Sequence, residues 1–333
     1  MPIAPVLMTP AYRFGAATPW GGDGLRAFFH KDIPDGRTGE SLEASAIPGL
    51  ESRSEEGETL TALIGRYGER LTGKGFAHPF PLLLKLLDAR DTLSVQVHPD
   101  NEYAARVEHK LGKTEAWHIL RCDEGAELVY GLTPGVTKEE LRAACREGSR
   151  VEGMLRRVKV HPGETYYIPA GTVHAIGRGI LLYEIQQSSD VTYRFYDWNR
   201  TDKAGNKREL HLDKAIDVTR LDFCGEAARE EKVEEGHFAL LREKYFWLDR
   251  FAEGVFALPR DEARFGILTA TAPCVLSWQG GEMALPAGRT ALLPADGFDL
   301  RLQCGAALLS RPARDECAMP RRIGNGSAIL LPN

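Results

Sequence analysis

The chain has 333 residues, 43% of them hydrophobic and 27% charged, and its formal net charge is −5. This composition is ordinary for a globular protein, and the length favours two domains that each bury a core. The sequence has no basic block to bind a nucleic acid, and no apolar run reaches the roughly 18 residues of a membrane span. A small phosphorylated ligand is compatible with this charge, since it needs only a few cations in one pocket.

The cysteines are scattered and include no CxxC pair, so we expect them to be reduced and to have structural roles. They are Cys122, Cys145, Cys224, Cys274, Cys304 and Cys317. The N-terminus has no basic region before its short apolar run, so no signal peptide is predicted. A cytoplasmic location is the expectation from these features.

Residues 1–50 are rich in Gly and Pro, with aromatic residues between them, so we predict loops and short strands in this segment. Apolar residues recur at helical spacing from 58 to 71, which predicts a surface helix. An apolar strand is predicted to begin at Phe80. The run 93–100 predicts the next strand, which ends at Pro99 because proline cannot donate to a β-ladder.

Two further helices are indicated by capping residues. Asp100 is placed to cap a short helix over residues 101–107. The segment Thr137-Lys-Glu-Glu140 has the form of a capping box, and it begins a helix predicted to run to about residue 157. Residues 158–194 then favour β-structure, with many Val, Ile and Tyr residues between turns.

A charged run over residues 229–236 marks the candidate junction between two domains. Residues 1–235 are predicted to form the catalytic domain, with helical insertions at about 58–71 and 137–157. Residues 236–333 show short strands separated by Gly and Pro, a pattern typical of a β-sandwich or jelly roll. They contain one histidine and no cluster of ligands, so no metal site is predicted there.

Gln96, His98, Glu115 and His174 are spaced like the ligands of one divalent metal inside a small β-barrel. Gln96 and His98 are two residues apart, so alternation along a strand turns both side chains to one face. Glu115 belongs to the next apolar run, and His174 follows the rigid turn Pro169-Ala-Gly171. Two imidazoles, a carboxylate and an amide oxygen suit zinc, with room left for a substrate.

The same spacing brings other polar side chains to this face. Lys113 lies two residues before Glu115, and Ser94 lies two residues before Gln96. Together they supply a hydroxyl and a cation beside the predicted ligands. Each residue alone could be an ordinary surface or ion-paired side chain, and the prediction depends on their common face.

The segment 163–174 has the form G-x5-P-x-G-x2-H and resembles the second motif of the cupin superfamily. In the usual first motif two histidines flank one residue, and here Gln96 replaces the first of them. Four stretches in order make the whole chain resemble the type I mannose-6-phosphate isomerases of the short bacterial form. They are Ser94-Val-Gln-Val-His-Pro-Asp100, Gly112-Lys-Thr-Glu-Ala-Trp117, Pro169-Ala-Gly-Thr-Val-His174 and Asp190-Val-Thr-Tyr-Arg-Phe-Tyr-Asp-Trp198.

The resemblance implies a mainly β fold, in which a cupin-like jelly-roll barrel with short helical insertions is followed by a second β-domain, sandwich or cupin-like. It implies one zinc ion per chain, with Gln96, His98, Glu115 and His174 as ligands. It also implies an active-site role for Arg194 and an acidic position in the pocket at Glu184. With Arg194, Ser94 and Lys113 would supply a hydroxyl and two cations suited to a phosphate group or a developing enediolate. The expected partner is a small hexose phosphate, and the expected assembly is a monomer or a weak homodimer.

The reaction that the resemblance implies is the interconversion of mannose 6-phosphate and fructose 6-phosphate through a cis-enediol(ate). A metal and cations can stabilise the oxyanion that develops when a base removes the C2 proton. Lys113 and Glu184 are both candidates for that base, and the sequence does not choose between them. Two other functions are considered: an iron-dependent cupin oxygenase and a non-catalytic sugar-binding cupin.

Overall fold

A computed structural model describes residues 1–202, 204–313 and 321–322, so Cys317 lies outside the described residues. The strands of the first 200 residues are β1 (Val6–Thr9), β2 (Ala11–Phe14), β3 (Thr38–Ala44), β4 (Arg53–Ser54), β5 (Leu82–Ala89), β6 (Val95–Val97), β7 (Glu115–Cys122), β8 (Glu127–Leu132), β9 (Leu155–Lys159), β10 (Thr165–Ile168), β11 (His174–Ile176), β12 (Ile180–Gln187) and β13 (Tyr193–Tyr196).

The later strands are β14 (Glu231–Glu234), β15 (His237–Arg242), β16 (Phe246–Phe251), β17 (Gly254–Leu258), β18 (Gly266–Trp278), β19 (Gly281–Leu285), β20 (Thr290–Leu293), β21 (Leu300–Pro312) and β22 (Arg321–Arg322). The α-helices are α1 (Gly24–Phe29), α2 (Leu60–Tyr67), α3 (Glu69–Thr72), α4 (Asn101–Val107), α5 (Lys138–Arg146) and α6 (Leu212–Val218). The prediction of a mainly β fold with short helical insertions is confirmed.

The chain forms two compact units. Unit 1 consists of Met1–Ala11, Glu43–Leu82 and Arg229–Asn333, and unit 2 consists of Tyr12–Leu42 and Leu83–Ala228. The sequence predicted a different division, a single boundary at residue 235 with every segment before it in the catalytic domain. The units differ from it because β1 pairs with β20 and with β4, and such long-range pairing is not encoded in local patterns.

Unit 2 contains two antiparallel sheets that carry the predicted site residues. One sheet has the order β10-β7-β12-β5-β3-β2, and the other has the order β13-β6-β11-β8-β9. β5 and β12 are buried along almost their whole length, which explains their continuous apolar sequences. Lys85 and Glu184 interrupt these apolar runs, so both charges lie in the interior of unit 2.

In unit 1 the described strands form one sheet with the path β14-β15-β16-β21-β18-β20-β1-β4. β17 pairs with β21 and β22, and β19 pairs with β18. The core contains Phe251, Phe256, Leu276 and Leu302, each with no exposed surface. The short strands predicted after residue 236 are therefore present, although β18 and β21 are longer than the sequence pattern indicated.

The helix boundaries follow their capping residues. The Asp100 side chain accepts a hydrogen bond from the Tyr103 amide at the start of α4, and Thr137 and Glu140 form the predicted capping box of α5. The extension of α5 to about residue 157 is wrong. The helix ends at Arg146 because Gly148 has a φ of 78°, which an α-helix cannot continue.

The helix predicted over 58–71 is divided in the same way. Gly68, with a φ of 53°, separates α2 from α3. Across the described part of the chain, none of the helices is both long and apolar enough to cross a membrane.

Candidate metal centre and the cavity beside it

Three of the predicted site residues form one row across the second sheet of unit 2. Gln96, in the middle of β6, has His174 of β11 as its Cα partner on one side and Arg194 of β13 on the other. Directly opposite residues of antiparallel strands turn their side chains to the same face. Strand register alone thus brings together residues that are up to 98 positions apart, from Gln96 to Arg194.

His98 and Glu115 complete the cluster from the end of β6 and the start of β7. One ligand atom from each of His98, Glu115 and His174 lies within 4.8 Å of the others. Oε1 of Glu115 is 3.3 Å from Nε2 of His174, and Oε2 is 3.5 Å from Nε2 of His98. All three side chains are buried, with at most 1% of their surface exposed. Two nitrogens and two carboxylate oxygens therefore face one small volume.

Both imidazoles are held with the same nitrogen pointing toward this volume. Nδ1 of His98 bonds to the Val191 carbonyl at 2.9 Å, and Nδ1 of His174 bonds to the Thr172 carbonyl at 2.8 Å. A carbonyl accepts, so each Nδ1 carries the proton and each Nε2 presents a lone pair. This arrangement, in which a backbone carbonyl orients the ring from behind, is typical of metal-binding histidines.

The donor set fits a divalent cation. Among the described residues, Glu115 Oε1 and His174 Nε2 find no hydrogen-bond partner although both are buried. Burial raises the pKa of Glu115, and the Lys113 ammonium only partly offsets this. Burial lowers the pKa of His174 to about 3 and that of His98 well below its usual range. The free-energy cost of burying these ionisable groups is offset when a metal accepts the lone pairs of neutral imidazoles and neutralises a carboxylate.

Lys113 lies at the centre of this cluster. Its Nζ is 2.9 Å from Nε2 of His98 and 2.6 Å from Oε2 of Glu115. These distances put the Lys113 ammonium in contact with Glu115, and Lys113 also lines the neighbouring cavity. The ammonium and a metal would meet the same nitrogen lone pair, so the two cations are electrostatically linked.

Glu184, on β12, is buried among hydrogen-bond donors. Lys85 Nζ lies 2.9 Å from its Oε1, and the Trp117 indole N–H donates to its Oε2 at 3.0 Å. Burial by itself would raise the pKa of Glu184, but the ammonium groups of Lys85 and Lys113 hold it below its ordinary value. The carboxylate is therefore ionised at neutral pH and fixed in one orientation.

Ser94, Gln96, Lys113, Glu184 and Arg194 line one cavity of about 300 Å³. Its other polar lining residues are Arg13, Glu40, Lys85, Ser189, Asp190, Thr192 and Arg208. Arg194 donates from Nε to the Ser94 hydroxyl at 3.1 Å, which confirms that these two predicted residues are neighbours. A cavity of this size suits a small metabolite, and the excess of cations favours an anionic one.

Lys85, Glu40 and Arg208 are among the charged residues of this cavity that sequence reasoning missed, and Arg13 and Asp190 are the others. Lys85 Nζ lies 3.6 Å from Glu40 Oε2, and Arg208 is held by two hydrogen bonds to Asp197, at 2.7 and 2.6 Å. Lys85 left a signal, because it is the one charge in the apolar run Leu82-Leu-Leu-Lys-Leu-Leu87. A buried strand rarely carries an unpaired cation, so a lysine at this position indicates a buried ion pair or a functional residue. Glu40 and Arg208 left no comparable signal.

Comparison with known proteins agrees with the family resemblance seen in the sequence. Residues 15–137 match the family model described as phosphomannose isomerase type I, catalytic domain. The chain is 46% identical over 223 residues to the mannose-6-phosphate isomerase ManA of Bacillus subtilis, covering 65% of this chain and 70% of that protein. The chain belongs to the type I phosphomannose isomerase family. The predicted family and the cupin-like fold class are thereby confirmed.

Two further relatives show how far the likeness extends. The mannose-6-phosphate isomerase of Streptococcus mutans is 47% identical over 203 residues, which are 60% of this chain and 63% of that protein. The crystal structure of a mannose 6-phosphate isomerase from Bacillus subtilis superposes with a TM-score of 0.83 at 33% identity, covering 93% of this chain and 99% of that one. The relatives are named as aldose–ketose isomerases, so the predicted enzyme class is confirmed at the level of the family.

Proposed function

We propose that this protein is a zinc-dependent isomerase that interconverts mannose 6-phosphate and fructose 6-phosphate through a cis-enediol(ate). The observation that carries the proposal is the position of Gln96 and Lys113. Both line the 300 Å³ cavity, and both lie beside the buried cluster of His98, Glu115 and His174. A candidate metal-binding cluster and a cationic cavity are adjacent there, an arrangement that suits a sugar phosphate.

Gln96, His98, Glu115 and His174 are the proposed zinc ligands. Zinc supplies Lewis-acid polarisation of the sugar oxygens when it is bound. Two neutral imidazoles and one carboxylate leave the ion a net positive charge, and the Gln96 amide adds none to oppose it. Val191 and Thr172 hold the imidazoles by their carbonyls, so these ligands need little reorganisation.

Ser94, Lys113 and Arg194 are the proposed substrate-binding residues. The Arg194 guanidinium is held by the Ser94 hydroxyl and by the Glu209 carbonyl, to which its Nη1 donates at 3.0 Å. A planar, oriented guanidinium suits the oxygens of a phosphate group or an enediolate. The Lys113 ammonium lies closest to the ligand cluster, so we assign it to the sugar oxygens near the reacting carbons.

Glu184 is the base that we propose for the proton transfer between C2 and C1. It is ionised at neutral pH, so it can accept a proton without first losing one. Lys85 and Trp117 hold the carboxylate in place from two sides. Because Glu184 lines the cavity, it can accept the proton from one carbon and return it to the neighbouring one.

The test is a coupled assay with mannose 6-phosphate on metal-free protein reloaded with zinc. We expect turnover that is lost in His98→Ala and in Glu184→Gln, the latter with its zinc retained. His161→Ala is the matched control, since His161 is exposed. Turnover by metal-free protein, or turnover of His98→Ala at the wild-type rate, would exclude the zinc-dependent reaction. Bound iron together with oxygen consumption would indicate an oxygenase instead.

A further inference from the structure

Two cysteines of unit 1 lie directly opposite each other in adjacent antiparallel strands. Cys274 of β18 has Cys304 of β21 as its Cα partner. Opposite residues of an antiparallel pair have Cα atoms about 4.5 to 5.5 Å apart, whichever of the two pair types they form. A disulfide requires roughly 4.4 to 6.8 Å. The register alone therefore places the two backbones at a distance that a disulfide can bridge.

The two thiols also contact each other. A hydrogen bond between them lowers the pKa of Cys274 and raises that of Cys304. Cys274 Sγ is in addition 3.2 Å from the Ala272 carbonyl, and Cys304 Sγ is 3.3 Å from the Ala252 carbonyl. The Cys274 thiol is thus the more acidic of the two. That asymmetry is typical of an attacking and a resolving cysteine.

The β-ladder is interrupted beside this pair. A register shift lies between Ala270 and Ala272, and Pro273 contributes no amide hydrogen to the ladder. Gly305, next to Cys304, has no side chain to pack against the opposite strand. Local interruptions of this kind let the two strands adjust, so the sulfur atoms can approach without breaking a regular ladder.

A surface cavity of about 340 Å³ gives access to the pair. Its lining includes Cys274 and Cys304 together with Gly254, Pro273 and Gly305. Both cysteines retain 4% of their surface exposed. A molecule as small as a hydroperoxide can therefore reach the thiols, whereas a second protein chain cannot. Cys145, which is buried, is not among the lining residues of this cavity.

We propose that Cys274 and Cys304 form a dithiol site that a hydroperoxide oxidises to an intramolecular disulfide. The Cys274 thiolate attacks the peroxide oxygen, an S–O bond forms, the O–O bond breaks, and the alcohol or water departs with the proton. The Cys304 sulfur then attacks Cys274, the S–S bond forms, and the hydroxyl departs as water with the Cys304 proton. Two thiols and one hydroperoxide thus give one disulfide, one alcohol and one water, with two electrons passing to the peroxide.

This modification site goes beyond the proposed isomerase function and is independent of it. The proposed catalytic and metal-binding residues all belong to unit 2, and the dithiol belongs to unit 1. The disulfide would close a covalent link between β18 and β21 in the core sheet of unit 1. We therefore expect the oxidation to be detectable whether or not the protein turns over mannose 6-phosphate.

The experiment uses the full-length chain, fully reduced and then treated with hydrogen peroxide under native conditions. After the remaining thiols are alkylated, tryptic digestion without reductant separates every relevant cysteine. Cys274 lies in the peptide 265–289, Cys304 in 302–314 and Cys317 in 315–321. We expect the first two peptides to be recovered joined, with the loss of two hydrogen atoms, and to separate on reduction.

Three variants test which cysteines form the disulfide. Cys224→Ala, which removes an exposed thiol, should leave the joined peptides unchanged. Cys274→Ala should abolish them, and Cys304→Ala should leave Cys274 as a sulfenic acid that a dimedone probe traps. Recovery of both Cys274 and Cys304 as alkylated thiols from peroxide-treated wild-type protein would overturn the proposal. A link from either of them to Cys317 or to a second chain would overturn it as well.

Discussion

The Lys113 ammonium lies 2.9 Å from Nε2 of His98, the nitrogen that the backbone leaves free for a metal. A cation that binds His98 must therefore act against a cation already present beside it. Like charges at such a distance in a buried site interact strongly, because little water screens them. Metal binding and the position of the Lys113 side chain are consequently coupled, and the coupling can be measured.

Replacing Lys113 by methionine should separate zinc affinity from turnover. We expect the Kd for zinc to decrease by about tenfold, because the repulsion is removed, and kcat to fall by about 100-fold or more, because the sugar oxygens lose their cation. A competition titration with a chelating dye measures the first effect, and the coupled assay measures the second. Lys159→Met, on the exposed side of β9, is the control. Weaker zinc binding by Lys113→Met would contradict the coupling.

Trp117 should act on the reaction only through Glu184, as a positioning residue. Its indole N–H donates to Glu184 Oε2 at 3.0 Å, so Trp117→Phe removes that bond while keeping an aromatic ring in the core. We expect kcat to fall by about tenfold with KM nearly unchanged, and the acid limb of the kcat–pH profile to move upward as the pKa of Glu184 rises.

Trp20→Phe is the control for Trp117→Phe, because Trp20 is also buried and lines the same cavity. A general loss of packing would lower the thermal midpoint without moving the pH profile. An unchanged pH profile in Trp117→Phe would therefore exclude the positioning role.

Zinc binding should release a proton from Glu115 rather than from the histidines. In the metal-free protein His98 and His174 have lowered pKa values, about 3 for His174, so both are neutral at pH 6. The pKa of Glu115 is raised by burial, so this ligand still binds a proton in mildly acidic solution. A cation displaces that proton, and zinc affinity should fall as the pH decreases from neutrality.

Calorimetry in two buffers of different ionisation enthalpy measures the number of protons released. We expect close to one proton per zinc at pH 6 and fewer at pH 8. Glu115→Gln, which has no proton to lose, should reduce the number toward zero even though it binds zinc more weakly. Release of two protons at pH 6 would indicate that the histidines are protonated instead.

The capping box of α5 should contribute to stability without affecting the site. The Thr137 hydroxyl accepts from the Glu140 amide at 3.2 Å, and the Glu140 carboxylate accepts from the Thr137 amide at 3.0 Å. Thr137→Ala should lower the free energy of unfolding by about 1 kcal/mol, measured by urea denaturation, while Thr137→Ser should restore most of it. Equal effects of the two variants would show that the methyl group, not the hydroxyl, is responsible.

Local sequence rules were sufficient to predict part of this structure. Alternation along a strand predicted Gln96 and His98 on one face and Lys113 beside Glu115. Lys113 Nζ does lie 2.6 Å from Glu115 Oε2, although Lys113 precedes β7 and His98 follows β6. The capping residues located the starts of α4 and α5. These features depend on neighbours within a few residues, so periodicity and hydrogen-bonding chemistry predict them directly. That the four predicted ligands bind a metal stays a prediction.

The remaining features depend on which distant strands pair and in which register. The sequence by itself determined the fold class and the starts of α4 and α5. Only the tertiary structure decided that Lys85 faces Glu184, and that Cys274 faces Cys304. A shift of one residue in either strand would turn these side chains to the opposite face, and no local pattern encodes that choice. The pairing depends on how the strands pack against distant parts of the chain, which is a property of the folded protein.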